Sequence, residues 1–87
     1  MNQDNTNKLF VGNLDYNLTN QELHQAFSRV GKVMDAFIVK DKETKKSRGF
    51  GFVQMASSEE CDRAIDELNG TDLNGRKINV SRAVSKQ

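Results

Sequence analysis

The 87-residue chain contains no proline and no tryptophan, and it has one cysteine and one histidine. A single cysteine, Cys61, excludes an internal disulfide, a redox-active cysteine pair and a zinc site built from several cysteines. A single histidine, His24, argues against a histidine-based metal cluster, so we expect neither a metal nor a cofactor. Cys61 is expected to be a small core residue, and His24 an exposed helix residue.

Long apolar runs are also missing from the chain. No stretch approaches the roughly 18 residues needed to cross a membrane, and the polar segment 1–8 does not resemble a signal peptide. We therefore expect a cytoplasmic protein, or a nuclear one in a eukaryote. The length fits one domain, expected to be monomeric. It would comprise a flexible segment over residues 1–7, a folded unit over residues 8–84 and a tail over residues 85–87.

The sequence alternates between strand patterns and helix patterns. Capping boxes at Thr19-x-x-Glu22 and Ser57-x-x-Glu60 each open a segment with apolar residues at positions i, i+3, i+4 and i+7. Runs rich in β-branched and aromatic residues predict strands over 8–13, 33–40, 48–55 and 77–82. The order β-α-β-β-α-β predicts an α+β, ferredoxin-like sandwich, in which a four-stranded antiparallel sheet carries both helices on one face.

The helix-free face of this sheet is predicted to be aromatic. Strand alternation places Phe10 on the same face as Lys8, and Phe50 and Phe52 on the same face as Arg48. Burying unpaired cations would be costly. We therefore expect these phenylalanines on the open face and the aliphatic residues against the helices.

Three further expectations concern a fourth phenylalanine, two glycines and a tyrosine. Phe37, on the second strand, is expected to join the open face, with edge-strand packing or self-association as its alternative role. Gly49 and Gly51 alternate with the phenylalanines, and a glycine in a strand often marks the close approach of another element, here expected to be a helix. Tyr16 is expected to pack within its loop.

Acidic and basic residues are concentrated in different segments of the chain, although the net charge is only +1. Segment 57–69 has five acidic residues and one arginine, segment 40–48 has five cations and two acidic residues, and segment 76–87 has four cations and no acidic residue. Exposed aromatic rings among cations suit single-stranded nucleic acid, whose bases stack on rings and whose phosphates attract cations. The same lysines and arginines are also compatible with solvated turns.

Two segments resemble the motifs of the RNA recognition motif (RRM) family. Segment 9–14, Leu-Phe-Val-Gly-Asn-Leu, is similar to the family's hexamer, and segment 48–55, Arg-Gly-Phe-Gly-Phe-Val-Gln-Met, is similar to its octamer. Met55 stands where the family often has an aromatic residue, and alternation directs it toward the core. The resemblance covers about residues 7–84 and extends to small stand-alone single-RRM proteins, including bacterial ones.

The resemblance implies a function and a set of contact residues. In this family aromatic residues on the central strands stack on bases, a role that carries over to Phe10, Phe50 and Phe52. Arg48 would pair with a phosphate. The implied ligand is single-stranded RNA, and stacking would also accept single-stranded DNA.

Other positions would flank the stacking platform. By the resemblance, Lys8, Lys77 and Asn79 would lie beside it. Arg82 and Ala83 correspond to positions at which the family offers side-chain and main-chain contacts to bases.

Two other functions are compatible with the same architecture. A protein-interaction module would bind a polypeptide through the sheet or the acidic second helix. Acylphosphatases and copper chaperones share the order of elements, but the former need a catalytic arginine, which the loop over residues 13–18 lacks, and the latter need Cys-x-x-Cys. We therefore expect a binding module and not an enzyme.

Overall fold

The computed structural model describes residues 7–83, and this part of the chain contains two helices and six strands. The elements are β1 (Lys8–Gly12), α1 (Asn20–Ser28), β2 (Val33–Lys40), β3 (Ser47–Met55), α2 (Ser58–Leu68), β4 (Asp72–Leu73), β5 (Arg76–Lys77) and β6 (Asn79–Arg82). Apart from Asn7, the predicted flexible segment and tail lie outside the described residues.

Four of the strands form one antiparallel sheet in the order β2-β3-β1-β6. The central strand β1 places Phe10 opposite Phe52 of β3 on one side and opposite Ser81 of β6 on the other. On the β2–β3 side, Phe37 lies opposite Phe52. The register thus gathers aromatic residues from three adjacent strands.

The core lies between this sheet and the two helices. Leu9 and Val11 of β1 are fully buried in the same cluster as Phe27 of α1 and Cys61 of α2. Burying a side chain such as Phe27 contributes roughly 1.5–3 kcal/mol. Both helices therefore cover the aliphatic face of the sheet, which confirms the predicted ferredoxin-like α+β sandwich and the core position of Cys61.

The two predicted capping boxes differ in the structure. At α1 the box is complete, since the Thr19 hydroxyl accepts from the Glu22 N–H at 3.1 Å and the Thr19 N–H donates to the Glu22 carboxylate at 3.0 Å. At α2 the Ser57 hydroxyl accepts from the Glu60 N–H at 3.2 Å. The Glu60 carboxylate instead accepts from the Lys32 N–H at 3.2 Å and from the Ser57 hydroxyl at 3.3 Å. Glu60 thereby anchors the loop after α1 to the start of α2.

The last predicted strand, 77–82, is divided into two pieces. Asn74 and Gly75 both have positive φ, 55° and 85°, which is typical of a tight hairpin turn, and this turn pairs β4 with β5 in a separate two-stranded sheet. Pairing with the main sheet begins at Asn79. Lys77 therefore belongs to the small hairpin and not to the main sheet.

Candidate nucleic-acid interface

Four phenylalanines form one cluster on the helix-free face of the sheet. We call Phe10, Phe37, Phe50 and Phe52 the aromatic patch. The Phe52 ring is central, with its centroid 5.9 Å from that of Phe10, 5.7 Å from that of Phe37 and 6.3 Å from that of Phe50. Phe10 and Phe50 are 5.6 Å apart. Such spacings are those of favourable aromatic pairs.

Neither helix covers the aromatic patch. Leu9 and Val11, which flank Phe10 in the chain, are 0% exposed, whereas Phe10 keeps part of its ring in contact with solvent. Phe50 and Phe52 are likewise half-buried, because the rings cover one another, and Phe37 at the edge of the patch is 39% exposed. The prediction of an aromatic open face is confirmed, and so is the inward position of Met55, which is 1% exposed.

Two cations border the aromatic patch. The Lys8 ammonium lies 5.5 Å from the centroid of the Phe52 ring, and the Arg48 guanidinium carbon lies 5.9 Å from that of Phe50. Both distances fall within the range of cation–π attraction. These contacts hold positive charge beside the rings, as a ligand with both bases and phosphates requires.

Strand β6 adds polar groups to the open face. Asn79 lies opposite Gly12, and Ser81 lies opposite Phe10; both side chains are exposed. Asn79 is thus beside the patch as predicted. Ser81 was not predicted, although alternation with the buried Val80 gives the signal that would have found it.

The Arg82 side chain lies on the other side of the sheet. Its guanidinium forms an ion pair with Asp62 at 2.7 Å and donates to the hydroxyl and carbonyl of Ser58 at 2.8 and 2.9 Å. Arg82 lies opposite Leu9 in the sheet, and residues that lie opposite each other have their side chains on the same face. Because Leu9 faces inward, the Arg82 side chain is directed toward α2. The predicted side-chain contact to bases is therefore corrected, and only the main chain of Arg82 remains beside the patch. The Ala83 N–H donates to the Lys8 carbonyl at 2.9 Å.

The loop after β1 is tied to the small hairpin by Asn13, a residue that the sequence did not single out. Asn13 has a φ of 59°, and its amide donates to the Lys77 carbonyl at 2.7 Å while its side-chain oxygen accepts from Arg76 at 2.6 Å. The exposed Lys77 is thereby placed next to the end of β1.

The two glycines of β3 lie close to a strand and a loop, whereas a helix was predicted. A side chain at Gly51 would collide with the β2 backbone at Phe37. Gly49 has a φ of 85°, and a Cβ built there would lie 2.9 Å from the Tyr16 ring. The expectation of a helix beneath these glycines is wrong, because the close neighbours are a strand and a loop. Tyr16 is also not a buried packing residue, since it is 72% exposed.

The described part of the chain offers few residues for catalysis or metal binding. His24 is exposed on α1, with its ring nitrogen Nδ1 3.1 Å from the Ser28 hydroxyl. Over residues 7–83, no group of three or more His, Cys, Asp or Glu side chains is placed to hold a metal ion. None of the helices over the same residues is long and apolar enough to span a membrane.

Comparison with protein-family models matches residues 9–79 to the RNA recognition motif. Among curated proteins, the chain is 47% identical over 83 residues to the 29 kDa ribonucleoprotein A, chloroplastic, of Nicotiana sylvestris, covering 95% of this chain and 30% of that protein. It is 49% identical over 80 residues to the Small RNA-binding protein 11, chloroplastic, of Arabidopsis thaliana, covering 92% of this chain and 55% of that protein. The chain thus spans only part of the length of these relatives.

Solved structures share the fold at similar coverage. RNA Binding Protein PG1 superposes with a TM-score of 0.86 at 38% identity, covering 92% of this chain and 96% of that one. The second RRM domain of the yeast poly(U)-binding protein superposes with a TM-score of 0.84 at 34% identity, with the same coverage.

These comparisons correct two expectations. The prediction of a cytoplasmic or nuclear location is wrong by this evidence, because relatives in Nicotiana and Arabidopsis at 44–49% identity are named as chloroplastic proteins. The suggested likeness to bacterial proteins is not supported either, because the relatives named here, together with a glycine-rich RNA-binding protein of Mycosarcoma maydis, come from plants and a fungus.

Proposed function

Because the chain belongs to the RNA recognition motif family, we propose that it binds single-stranded RNA on the aromatic patch. One observation carries the proposal: four phenylalanine rings lie together on a sheet face that no helix covers. Members of this family are binding modules and not enzymes, in agreement with the expectation from the sequence. The mechanism is accordingly one of recognition without bond making or breaking.

Bases stack on the aromatic patch. Phe10, Phe50 and Phe52 carry the stacking, and each stacked base contributes about 1–3 kcal/mol. Phe37, which contacts Phe52 and is the most exposed of the four rings, extends the platform toward the β2 edge.

Cations and polar groups around the patch hold the RNA backbone. Lys8 and Arg48 already lie beside the rings, so phosphates that follow the stacked bases meet positive charge there. Further contacts on the β6 side come from the side chains of Asn79, Ser81 and Lys77 and from the main chain of Arg82 and Ala83. The relatives named as RNA-binding and the poly(U)-binding structure support this choice of ligand.

The same contacts determine the finer properties that we propose. Stacking does not depend on the ribose 2′-hydroxyl, so single-stranded DNA of matched sequence also binds. One chain supplies both the rings and the cations, so a monomer suffices and binds one strand.

A fluorescence anisotropy titration with a short single-stranded RNA tests the proposal. Phe50→Ala weakens binding by about 5-fold to 150-fold, which corresponds to one stacked base, and leaves the fold intact by circular dichroism because the ring is already partly exposed. Met34→Ala is the matched control, since Met34 is an apolar residue that is 58% exposed and lies outside the patch. Unchanged affinity in a folded Phe50→Ala protein would refute the stacking role.

The salt dependence of the same titration discriminates RNA from a polypeptide ligand. For phosphate binding, log K falls linearly with log salt, by about 0.7 for each phosphate contacted on a single strand. A salt-independent affinity for a peptide, with no affinity for RNA, would contradict the proposal and favour a protein-interaction module.

A further inference from the structure

Gly12, the last residue of β1, lies on the open face of the sheet and is nevertheless buried. Alternation along β1 puts it on the same side as Phe10, because Val11 between them is 0% exposed and faces the helices. Asn79, which lies opposite Gly12 on β6, is exposed. A group on the open face itself therefore covers Gly12.

The group that covers Gly12 is the Phe10 ring. A Cβ built on Gly12 would lie 3.0 Å from Cε2 and 3.3 Å from Cζ of this ring, which is closer than the roughly 3.5–4.0 Å at which carbon atoms pack. Side chains on a strand lean along the strand direction, and here the ring leans onto the residue two positions further along β1. The ring thus occupies the space that a side chain at position 12 would fill.

The backbone of β1 does not require a glycine at this position. Gly49, Gly70 and Gly75 have positive φ, the conformation that favours glycine, and Gly12 is not among them. Gly12 instead pairs with Asn79 as a regular member of the sheet. The contact with Phe10, and not the backbone conformation, is therefore what requires a residue without a side chain.

The orientation of the Phe10 ring within the aromatic patch follows from this contact. The plane of the ring is 33° from that of Phe50 and 68° from that of Phe52, whereas Phe50 and Phe52 are 86° apart. Phe10 and Phe50 are thus similarly oriented, and Phe52 is steeply inclined to both. Because one side of the Phe10 ring rests on the backbone of Gly12, the other side is the one available to a base.

We propose that Gly12 is a positioning residue for RNA binding, whose missing side chain lets the Phe10 ring lie against β1 and turn its outer side toward a base. The inference rests on the proposed RNA-binding function, and it gives Gly12 a role that acts through Phe10 and not through contact with the ligand. A side chain at position 12 displaces the ring from its contacts with Phe50 and Phe52. The base that stacks on Phe10 then loses its platform.

A double-mutant cycle of Gly12→Val and Phe10→Ala tests this role, with affinity for a short single-stranded RNA measured by fluorescence anisotropy. Valine is favourable in strands, but its methyl groups need the space that the ring occupies. Each single substitution weakens binding by about 5-fold to 150-fold, the loss of one stacked base. The double variant binds no more weakly than Phe10→Ala alone, because a residue that acts only through the ring has no effect once the ring is removed.

Gly12→Ala provides the same test with a smaller change, should Gly12→Val fail to fold. Its methyl group displaces the ring by only a few tenths of an ångström, so the affinity falls between those of the native protein and Phe10→Ala, with an unchanged circular dichroism spectrum. Nuclear Overhauser contacts between the Gly12 Hα atoms and the Phe10 ring protons, measured in the native protein without RNA, report the placement of the ring directly.

The outcomes separate the role of Gly12 from RNA binding itself. Native affinity in the folded Gly12 variants, losses that add in the double variant, or the absence of the Overhauser contacts overturns the positioning role. A loss in Phe10→Ala together with native affinity in Gly12→Val and Gly12→Ala refutes that role alone. Native affinity in Phe10→Ala refutes stacking on this ring, on which both the proposed function and the role of Gly12 depend.

Discussion

Among individual residues, Phe52 is the centre of the aromatic patch. Its ring contacts those of Phe10, Phe37 and Phe50, and the Lys8 ammonium lies near its centroid. Each of these neighbours is held in place by the others, so the rings are preordered before a ligand arrives. Preordering reduces the entropy lost on binding, which suits a small module with few contacts.

Ionisation of the buried Cys61 thiol opposes folding. Burial raises the pKa of its thiol above the usual 9.0. The unfolded chain therefore releases this proton at lower pH than the folded protein does. The stabilising contribution is present below about pH 9 and declines as the pH rises from 9 through the folded-state pKa.

Urea denaturation between pH 7 and pH 10.5 checks this prediction. The free energy of unfolding of the native protein falls more steeply above pH 9 than that of Cys61→Ala, which has no thiol but shares every other titrating group. Parallel curves for the two proteins would contradict the assignment. Slow labelling of the folded protein by a thiol reagent, against rapid labelling in urea, provides an independent readout.

Among the secondary-structure elements, each of the two edge strands, β2 and β6, has one backbone N–H that donates to an asparagine side chain. The Asn20 side-chain oxygen accepts from the N–H of Ile38 on β2 at 2.8 Å, and that of Asn69 accepts from the N–H of Val80 on β6 at 2.9 Å. Unpaired strand edges promote association between chains. Each contact occupies one N–H that would otherwise be open to pairing with another chain.

Asn69→Ala is predicted to destabilise the protein by about 1–3 kcal/mol, because the partly buried N–H of Val80 loses its acceptor. Asn69→Asp is the control, since its carboxylate still accepts the bond. Chemical denaturation of the three proteins measures the effect. Equal stability of Asn69→Ala and the native protein would show that water replaces the side chain without cost.

Patterns within single elements were the readily predictable part of the fold. The capping box at Thr19 and the apolar spacing that follows it predicted α1, and alternation in β1 and β3 predicted which face is aromatic. The β4–β5 hairpin was missed because its strands have only two residues each, too few for any periodicity to emerge. Its turn residues, Asn74 and Gly75, were the usable signal.

Contacts between distant residues were not predictable in the same way. The ion pair of Arg82 with Asp62 and the bonds of Asn13 to Arg76 and Lys77 join segments that meet only after folding. Tyr16 illustrates the same limit, because an aromatic residue in an irregular loop has no period that assigns it to the core or the surface. Side chains on strands were therefore predictable, because alternation fixes which face they lie on, whereas side chains in loops were not.

At the scale of the whole molecule, charge and aromatic surface are arranged on two sides. The acidic helix α2 packs on the aliphatic face of the sheet, whereas Lys8 and Arg48 border the opposite, aromatic face. A net charge of +1 conceals this separation. For the proposed RNA ligand, this separation gives a local field that attracts phosphates to the patch and repels them from α2.

An amide chemical-shift titration with a short single-stranded RNA tests the central claim most directly, because it reports the binding face residue by residue. The account predicts that the largest shifts fall on Phe10, Phe50, Phe52 and their neighbours in β1 and β3, with α2 nearly unaffected. Largest shifts on α2 with an unresponsive aromatic patch would contradict it.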